Sequence, residues 1–172
     1  TTSNSSAFDL TIKKITINNG TFNFVHNSKI LKKKGLFDEN NIAFQSIKGE
    51  INNLKIDSDK LSAQVNISTE EKCGLVVKKI QADFSLTPHQ MEFKNLDLKV
   101  NNSIFKNYFS MKFQSFNKDM RNFLSNVEIE SHLDSSQLFV EDLKYFTDNT
   151  HLLFPVYFVN GHVKGTVDNL QS

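Results

Sequence analysis

The chain alternates between apolar and polar residues over most of its length, and this alternation restricts its fold more than any other feature. Apolar residues recur at every second position in five stretches, with Leu61 to Ile67 and Ile80 to Leu86 as clear examples. Successive side chains of a β-strand point to opposite faces of a sheet, so each stretch predicts a strand with one apolar face. Strands spaced by roughly 10 to 15 residues, with few helix signals between them, indicate an all-β protein with an antiparallel sheet.

A pair of polar residues interrupts the alternation four times, and the alternation then resumes. The four phrases are IKKITI (12–17), INNLKI (51–56), VKKIQADF (77–84) and FKNLDLKV (93–100). A β-bulge places two residues of one strand opposite one residue of its partner, which keeps the apolar residues on both sides of the pair on one face. We therefore predict a bulge at each pair. Bulged strands bend and twist, so the sheet should curl into a half-pipe with an apolar concave face.

A two-residue hairpin turn at each pair is the alternative to a bulge. Asn52 and Asn53 would tolerate the positive φ of such a turn, whereas the lysine pairs would be strained by it. Turn signals between the predicted strands are Asn18-Asn19-Gly20, Asp57-Ser58-Asp59, Cys73-Gly74, Thr87-Pro88-His89 and Asn160-Gly161. Pro88 suits the second position of a tight turn, which predicts a hairpin of strands 75–86 and 91–100.

Helix signals are few, and the predicted domain organisation is simple. Residues 118–125 and 140–147 predict at most two short helices. Residues 1–7 are polar and resemble a linker, and we predict that residues 8–172 form one β-groove segment. The chain ends within its strand pattern, on GTVDNLQS, and we interpret it as an internal fragment of a longer protein.

The composition argues against several functional classes. The 20 Lys and Arg residues balance 19 Asp and Glu residues, so no overall positive charge attracts nucleic acid. The five histidines include no pair at positions i and i+4, and Asp57-Ser58-Asp59 lacks the later residues of a calcium loop. We therefore predict no metal site, no cofactor and no enzyme. The longest apolar run, 152–159, is too short for a membrane-spanning helix and contains Pro155.

The apolar positions of the central strands are the candidate ligand-contacting residues. The 16 Phe residues, with no Trp, are consistent with a packed core or with a face that contacts lipid. The predicted lining consists of Val65, Ile67, Phe84, Leu86, Phe93, Leu98, Val100, Phe109, Met111 and Phe113. One basic cluster lies in a predicted loop, where its side chains are either solvated or contact anionic lipid headgroups. The cluster consists of Lys29, Lys32, Lys33 and Lys34.

Four segments of the chain carry motifs that recur together, in this order, in one protein family. The first is FDLTIKKITINNGTFNFVHN (8–27), in which a strand runs into NG-x-F-x-aromatic. The second is EEKCGLVVKKIQADFSLTPHQMEFKNLDLKVNNSIF (70–105), with two strands after a small residue and Gly. The third and fourth are SSQLFVEDLKYF (135–146) and VNGHVKGTVDNL (159–170). Over nearly its whole length, the chain thus resembles the AsmA/TamB-like envelope proteins of Bacteroidota.

The resemblance implies a taco-like β-sheet in the periplasm, between the inner and outer membranes. These proteins are similar to bridge-like lipid transfer proteins, which implies a hydrophobic groove that shields phospholipid acyl chains, continued by flanking segments of the same protein. TamB-like members are also tied to outer-membrane biogenesis, which implies the outer-membrane assembly machinery as a further partner. Full-length members carry an amino-terminal membrane anchor and a carboxy-terminal conserved domain, so the resemblance implies an internal fragment.

Two further functions remain open on the sequence alone. One is a closed β-sandwich that acts as a binding module, in which a second sheet covers the apolar residues. The other is a scaffold for outer-membrane protein assembly or secretion, which engages unfolded proteins by adding their strands to its exposed sheet edge. The first of these differs from a lipid groove in one observable respect, because a groove leaves its apolar face uncovered.

Overall fold

A computed structural model describes residues 9–25, 33–38, 40–147, 153–166 and 168–171. These residues form one antiparallel sheet of nine strands in chain order, so each strand pairs with the strands that precede and follow it. The strands are β1 (Asp9–Val25), β2 (Asn41–Asp57), β3 (Lys60–Glu71), β4 (Val76–Thr87), β5 (Gln90–Val100), β6 (Ser103–Lys112), β7 (Glu128–Phe139), β8 (Val156–Thr166) and β9 (Asn169–Gln171). The sheet is curled and open rather than closed into a barrel, which confirms the predicted fold class.

Short helical segments occur in the two predicted places. Between β6 and β7 lie α1 (Phe116–Asp119), a 3-10 turn (Met120–Asn122) and α2 (Phe123–Asn126). A second 3-10 segment, Val140–Tyr145, follows β7. None of these helical segments in the described part of the chain exceeds two turns, because the intervening sequence lacks the long apolar periodicity that stabilises a helix by packing.

Tight turns join several consecutive strands as the sequence predicted. Thr87 pairs with Gln90 around Pro88 and His89, which confirms the hairpin of β4 and β5. Asp57 pairs with Lys60 around a two-residue turn between β2 and β3. The turn at Cys73-Gly74 is also present, where the N–H of Gly74 donates to the carbonyl oxygen of Glu71 at 2.8 Å.

Two predicted turns are wrong, because the strands continue through them. Asn18-Asn19-Gly20 lies inside β1, where Asn18 and Asn19 together oppose Lys48 of β2 in a bulge. Asn160-Gly161 lies inside β8, where the side-chain oxygen of Asn160 accepts the N–H of Ser135 at a bulge of β7. Residues that favour turns also suit bulges, so local sequence does not separate the two.

Bulges occur at three of the four predicted polar pairs. The sets of two residues against one are Asn53 and Leu54 against Ala63, Lys78 and Lys79 against Ser68, and Lys94 and Asn95 against Tyr108. Asn53 and Asn95 have φ angles of 53° and 52°. Each of these two residues therefore has a left-handed backbone conformation at its bulge. Asparagine adopts this conformation at lower cost than most residues do.

The prediction of a bulge at Lys13-Lys14 is wrong. β1 and β2 stay in register there. Ile12 pairs with Leu54 and Ile15 pairs with Ile51, so the same three-residue spacing occurs on both strands. Both strands interrupt their alternation at the same place, so neither strand has an extra residue relative to the other. The register shift occurs one strand further on, between β2 and β3.

The described strands form a single layer. Each strand contacts chiefly its neighbours in the sheet, and no second sheet lies against it within the described residues. Few apolar side chains are buried, and those described are Ala63, Leu75, Ala82, Leu96, Phe113 and Val127. The two packed sheets of a β-sandwich are therefore not found in the described part of the chain.

Buried carboxylates fix the loops at the end of the sheet where β3 leads into β4 and β5 into β6. Glu71 is completely buried and accepts the N–H groups of Ala43 at 2.9 Å and Cys73 at 2.7 Å. Burial acts to raise the pKa of Glu71, but these donors outweigh it and hold the pKa below its usual range. Asp142 accepts the N–H of Asn102 at 3.0 Å and the N–H of Ser103 at 2.8 Å. These carboxylates satisfy backbone donors that the strand ladders leave without partners.

Candidate functional site

Cross-strand pairing brings the predicted lining residues together on one face of the sheet. Phe84 of β4 pairs with Phe93 of β5, and Phe93 pairs with Phe109 of β6. The ring centroids of these two pairs are 5.0 Å and 6.3 Å apart, within the range at which aromatic rings attract each other. Leu86 and Met111 lie in the adjacent row, where each pairs with Met91.

The other predicted residues follow the same alternation. Val65 pairs with Ala82, and Ile67 pairs with Ile80, which in turn pairs with Leu98. Val100 continues the alternation of β5, where it pairs with Val77 of β4. The structure thus brings nine of the ten predicted residues to one face, which we call the apolar face, whereas Phe113 follows the end of β6 at Lys112. Its predicted members are Val65, Ile67, Phe84, Leu86, Phe93, Leu98, Val100, Phe109 and Met111.

A cavity of about 430 Å³ lies on the apolar face. Its lining residues are Ile80, Phe93, Leu96, Leu98, Phe105, Phe109, Ser131 and Leu133. Phe93, Leu98 and Phe109 were predicted. The alternation of Ile129, Ser131 and Leu133 in β7 was the signal that could have extended the lining beyond β6, because these residues continue the rows across the next strand.

Most side chains of the apolar face are half-buried. Neighbouring side chains of the sheet cover their flanks, and no second layer of described residues covers their outer ends. Phe113 differs, since it is only 5% exposed and the edge of the Phe116 ring lies against it at a centroid distance of 5.4 Å. Phe113 is therefore part of a small core beside α1 rather than of the open face.

The apolar face differs between its two ends. At the end that carries the β4–β5 turn, Phe116 reaches over the sheet and lines a cavity of about 380 Å³ together with Leu61 and Leu86. Towards the other end, Phe22 and Phe24 of β1 are 52% and 42% exposed. The helical segment thus covers part of the face at one end, while aromatic side chains are exposed towards the other.

The predicted lysine cluster is only partly described. Lys29 and Lys32 lie outside the described residues. Lys33 and Lys34 are exposed in the connection between β1 and β2. This connection joins the sheet at the end where Val25 of β1 is 67% exposed. Lysines and an exposed apolar residue therefore occur near each other along the chain at this end.

Charged side chains pair across the opposite face, which we call the polar face. Lys79 and Asp97 form an ion pair at 2.7 Å, and Lys14 and Glu50 form another at 2.6 Å. The hydrogen bond and charge of Lys79 hold the pKa of Asp97 below its usual range. The two faces of the sheet thus differ sharply in chemistry, which is the arrangement expected of an antiparallel sheet with one solvated side.

The polar face also brings together a group of residues that the sequence alone does not predict. His132 of β7 pairs directly with His162 of β8, and Glu130 lies two residues before His132 on the same face. The Nε2 atoms of His132 and His162 lie 3.3 Å and 3.6 Å from Oε1 of Glu130. A hydrogen bond from Lys112, followed by the contact with His132, lowers the pKa of Glu130 to about 2. The two histidines are 30 positions apart in sequence, so only the register of β7 and β8 reveals the group.

Comparison with known proteins adds no relative: no protein-family model, no curated protein and no solved structure matches the chain. None of the helical segments in the described part of the chain has the length and apolar character of a membrane-spanning helix.

Proposed function

We propose that this chain is a segment of an AsmA/TamB-like envelope protein that shields lipid acyl chains on its apolar face during transport between the inner and outer membranes. The periplasm is the compartment that this proposal requires. The proposed ligand is the acyl portion of a phospholipid, and the proposed partners are flanking segments of the same protein. The proposal combines the resemblance of four sequence segments with the geometry of the sheet.

The open apolar face is the observation that supports this proposal most. Phe84, Phe93 and Phe109 form a row across three strands, yet each remains only half-buried. Monomeric proteins rarely leave such a continuous apolar surface uncovered unless it binds something. An acyl chain is a suitable occupant, because it is apolar throughout and needs no hydrogen-bond partner.

The energetics of acyl-chain burial suit a shallow surface. Each methylene group removed from water contributes about 0.8 kcal/mol, so several methylene groups in contact already give appreciable affinity. Neighbouring strands are about 4.8 Å apart, and eight such spacings between nine strands extend roughly 38 Å. A lipid can therefore exchange one row of contacts for the next along the face without a large loss of burial at any step.

Site-specific photo-crosslinking tests the proposal. A photo-reactive residue at Phe84, Leu98 or Met111 should capture lipid in cells that express the protein. The matched control is the same residue at Gln81 or Lys99, which adjoin apolar-face positions in β4 and β5 but lie on the polar face. Equal capture at Gln81 and Phe84, or no capture at any apolar-face position, would contradict the proposal.

A second candidate function is strand addition at the sheet edge. β1 has 17 residues, and within the described part of the chain it pairs only with β2. A long edge strand offers unpaired backbone groups to an incoming strand. A photo-reactive residue at Thr16 that captures unfolded outer-membrane protein, with no capture by the same residue at Gln81, would favour this function over lipid transport.

A further inference from the structure

Three ring side chains lie in a row across β6, β7 and β8 on the polar face, where most other neighbouring side chains form ion pairs. Tyr108 pairs with His132, and His132 pairs with His162. The ring centroids of the two histidines are 4.3 Å apart, and the edge of Tyr108 meets His132 at 5.3 Å. Lysine and glutamate pairs occupy much of this face elsewhere, so two adjacent imidazoles beside a carboxylate form a chemically distinct group.

We propose that Glu130, His132 and His162 bind a divalent transition-metal ion of the Zn²⁺ class. Each of these residues offers one ligand atom, and the three atoms lie within 4.8 Å of one another. Two atoms bound to zinc at about 2.0–2.1 Å in a tetrahedral arrangement are about 3.3 Å apart. The separations of 3.3 Å and 3.6 Å between Oε1 of Glu130 and the two Nε2 atoms match this requirement with little rearrangement.

The backbone positions of the ligands favour this site. His132 and His162 are directly opposite each other in an antiparallel pair, which brings their side chains together on the same side of the sheet. Their side chains are each 49% exposed, so an ion can reach the imidazole nitrogens from solvent. Three protein ligands leave one position of a tetrahedral ion for water.

Neighbouring side chains orient the ligands. Nζ of Lys112 donates to Oε2 of Glu130 at 2.9 Å, which leaves Oε1 directed at the imidazoles. The Tyr108 hydroxyl donates to Glu92 at 3.0 Å, which holds the tyrosine ring against His132. Such contacts around a metal ligand commonly affect affinity by about 10–100-fold.

The charge around the site is balanced rather than strongly negative. Lys112 lies within 4.0 Å of both Glu128 and Glu130, and Lys164 lies 3.7 Å from Glu128. Two carboxylates therefore face two ammonium groups. This balance disfavours Ca²⁺ and Mg²⁺, which require several oxygen ligands, and leaves the imidazole nitrogens to select an ion of the Zn²⁺ class.

Calorimetric titration of the 172-residue protein with ZnCl₂ at neutral pH tests the site. We expect one ion per chain, with affinity reduced about tenfold or more by His132→Ala, His162→Ala or Glu130→Gln. His89→Ala is the matched control, because His89 is an exposed histidine of the β4–β5 turn, outside the group. Circular dichroism of each variant verifies that the sheet is retained.

A second measurement identifies the ligand atoms. Electron paramagnetic resonance of the Cu²⁺-loaded protein should show coupling to two nitrogen nuclei, and to one in His162→Ala. Absence of Zn²⁺ binding, binding unaffected by all three variants, or binding lost with His89→Ala would overturn the proposal. A Cu²⁺ spectrum without nitrogen coupling would overturn it as well.

Discussion

The ring of Phe84 lies 5.0 Å from the ring of Phe93 across the β4–β5 pair, and both side chains are only half-buried. Removing the Phe84 ring should therefore destabilise the protein less than removing a core phenylalanine. We expect Phe84→Ala to lower the free energy of unfolding by about 1–2 kcal/mol, compared with about 3–5 kcal/mol for a fully buried ring. Urea denaturation monitored by circular dichroism measures the difference.

Phe113→Ala is the matched comparison for that substitution. Phe113 is 5% exposed and contacts Phe116, so its loss should fall in the higher range. If Phe84→Ala proves as destabilising as Phe113→Ala, the apolar face is covered in solution and the lipid proposal loses its main support.

Asn53 provides a test of the bulges. Its φ angle of 53° favours Asn or Gly, so Asn53→Ala should cost about 1–2 kcal/mol and Asn53→Gly considerably less. Deletion of Asn53 should be far more damaging, because it removes the extra residue opposite Ala63 and turns the apolar residues of one half of β2 to the wrong face. Thermal melts of the three variants check this order, and a well-tolerated deletion would refute it.

Glu71 should make stability depend on acid pH. Its pKa lies below 4.5 in the folded protein, so the unfolded state binds more protons and the contribution of Glu71 is present above about pH 4.5. This contribution should be lost as pH falls through the folded-state pKa. Glu71→Gln should cost about 1–3 kcal/mol at pH 7, because one of the two N–H groups then faces an amide donor.

Urea midpoints measured between pH 7 and pH 2 test this dependence. The difference between the wild type and Glu71→Gln should shrink as the pH falls below 4.5. Other carboxylates with lowered pKa values, such as Asp97, titrate in both proteins and cancel in the difference. A difference that stays constant with pH would contradict the role of the Glu71 carboxylate.

Cys73 should react slowly with alkylating reagents. Burial, followed by its contact with Glu71, raises the pKa of the thiol from 9.0 to about 11. Because the thiolate is the reactive form, the rate at pH 8 should be roughly a hundredfold below that of an unperturbed cysteine. Iodoacetamide labelling measures the rate, with the urea-unfolded protein as the fast reference. Labelling as fast in the folded protein would contradict the raised pKa.

The class of fold and part of the apolar face could be predicted from the sequence, because both follow from alternation. Phe84, Phe93 and Phe109 occupy alternating positions of their strands, and a sheet has only two faces on which they can lie. The hairpin at Pro88 was also predictable, since its turn residues are adjacent in sequence.

The errors arise where the outcome depends on a partner strand. Lys13-Lys14 lacks a register shift because β2 carries the matching irregularity, which β1 alone does not reveal. Asn160-Gly161 continues a strand because β7 supplies the bulge opposite. The pairing of His132 with His162 depends on the same register. In all three cases, pairing with a strand distant in sequence determined the structure, and local sequence preference did not.

Because the strands lie in the sheet in the same order as in the chain, the free energy of folding is approximately a sum of contributions from neighbouring strands. Since β4 contacts chiefly β3 and β5, its stability depends on adjacent hairpins and hardly on the rest of the sheet. A sheet of this kind can gain or lose one hairpin without disturbing the packing of the other hairpins. Duplication or excision of one hairpin would therefore change the length of the apolar face in steps of about 10 Å, two strand spacings, while the existing rows of side chains stay intact. Length is the property that this architecture leaves most free to vary.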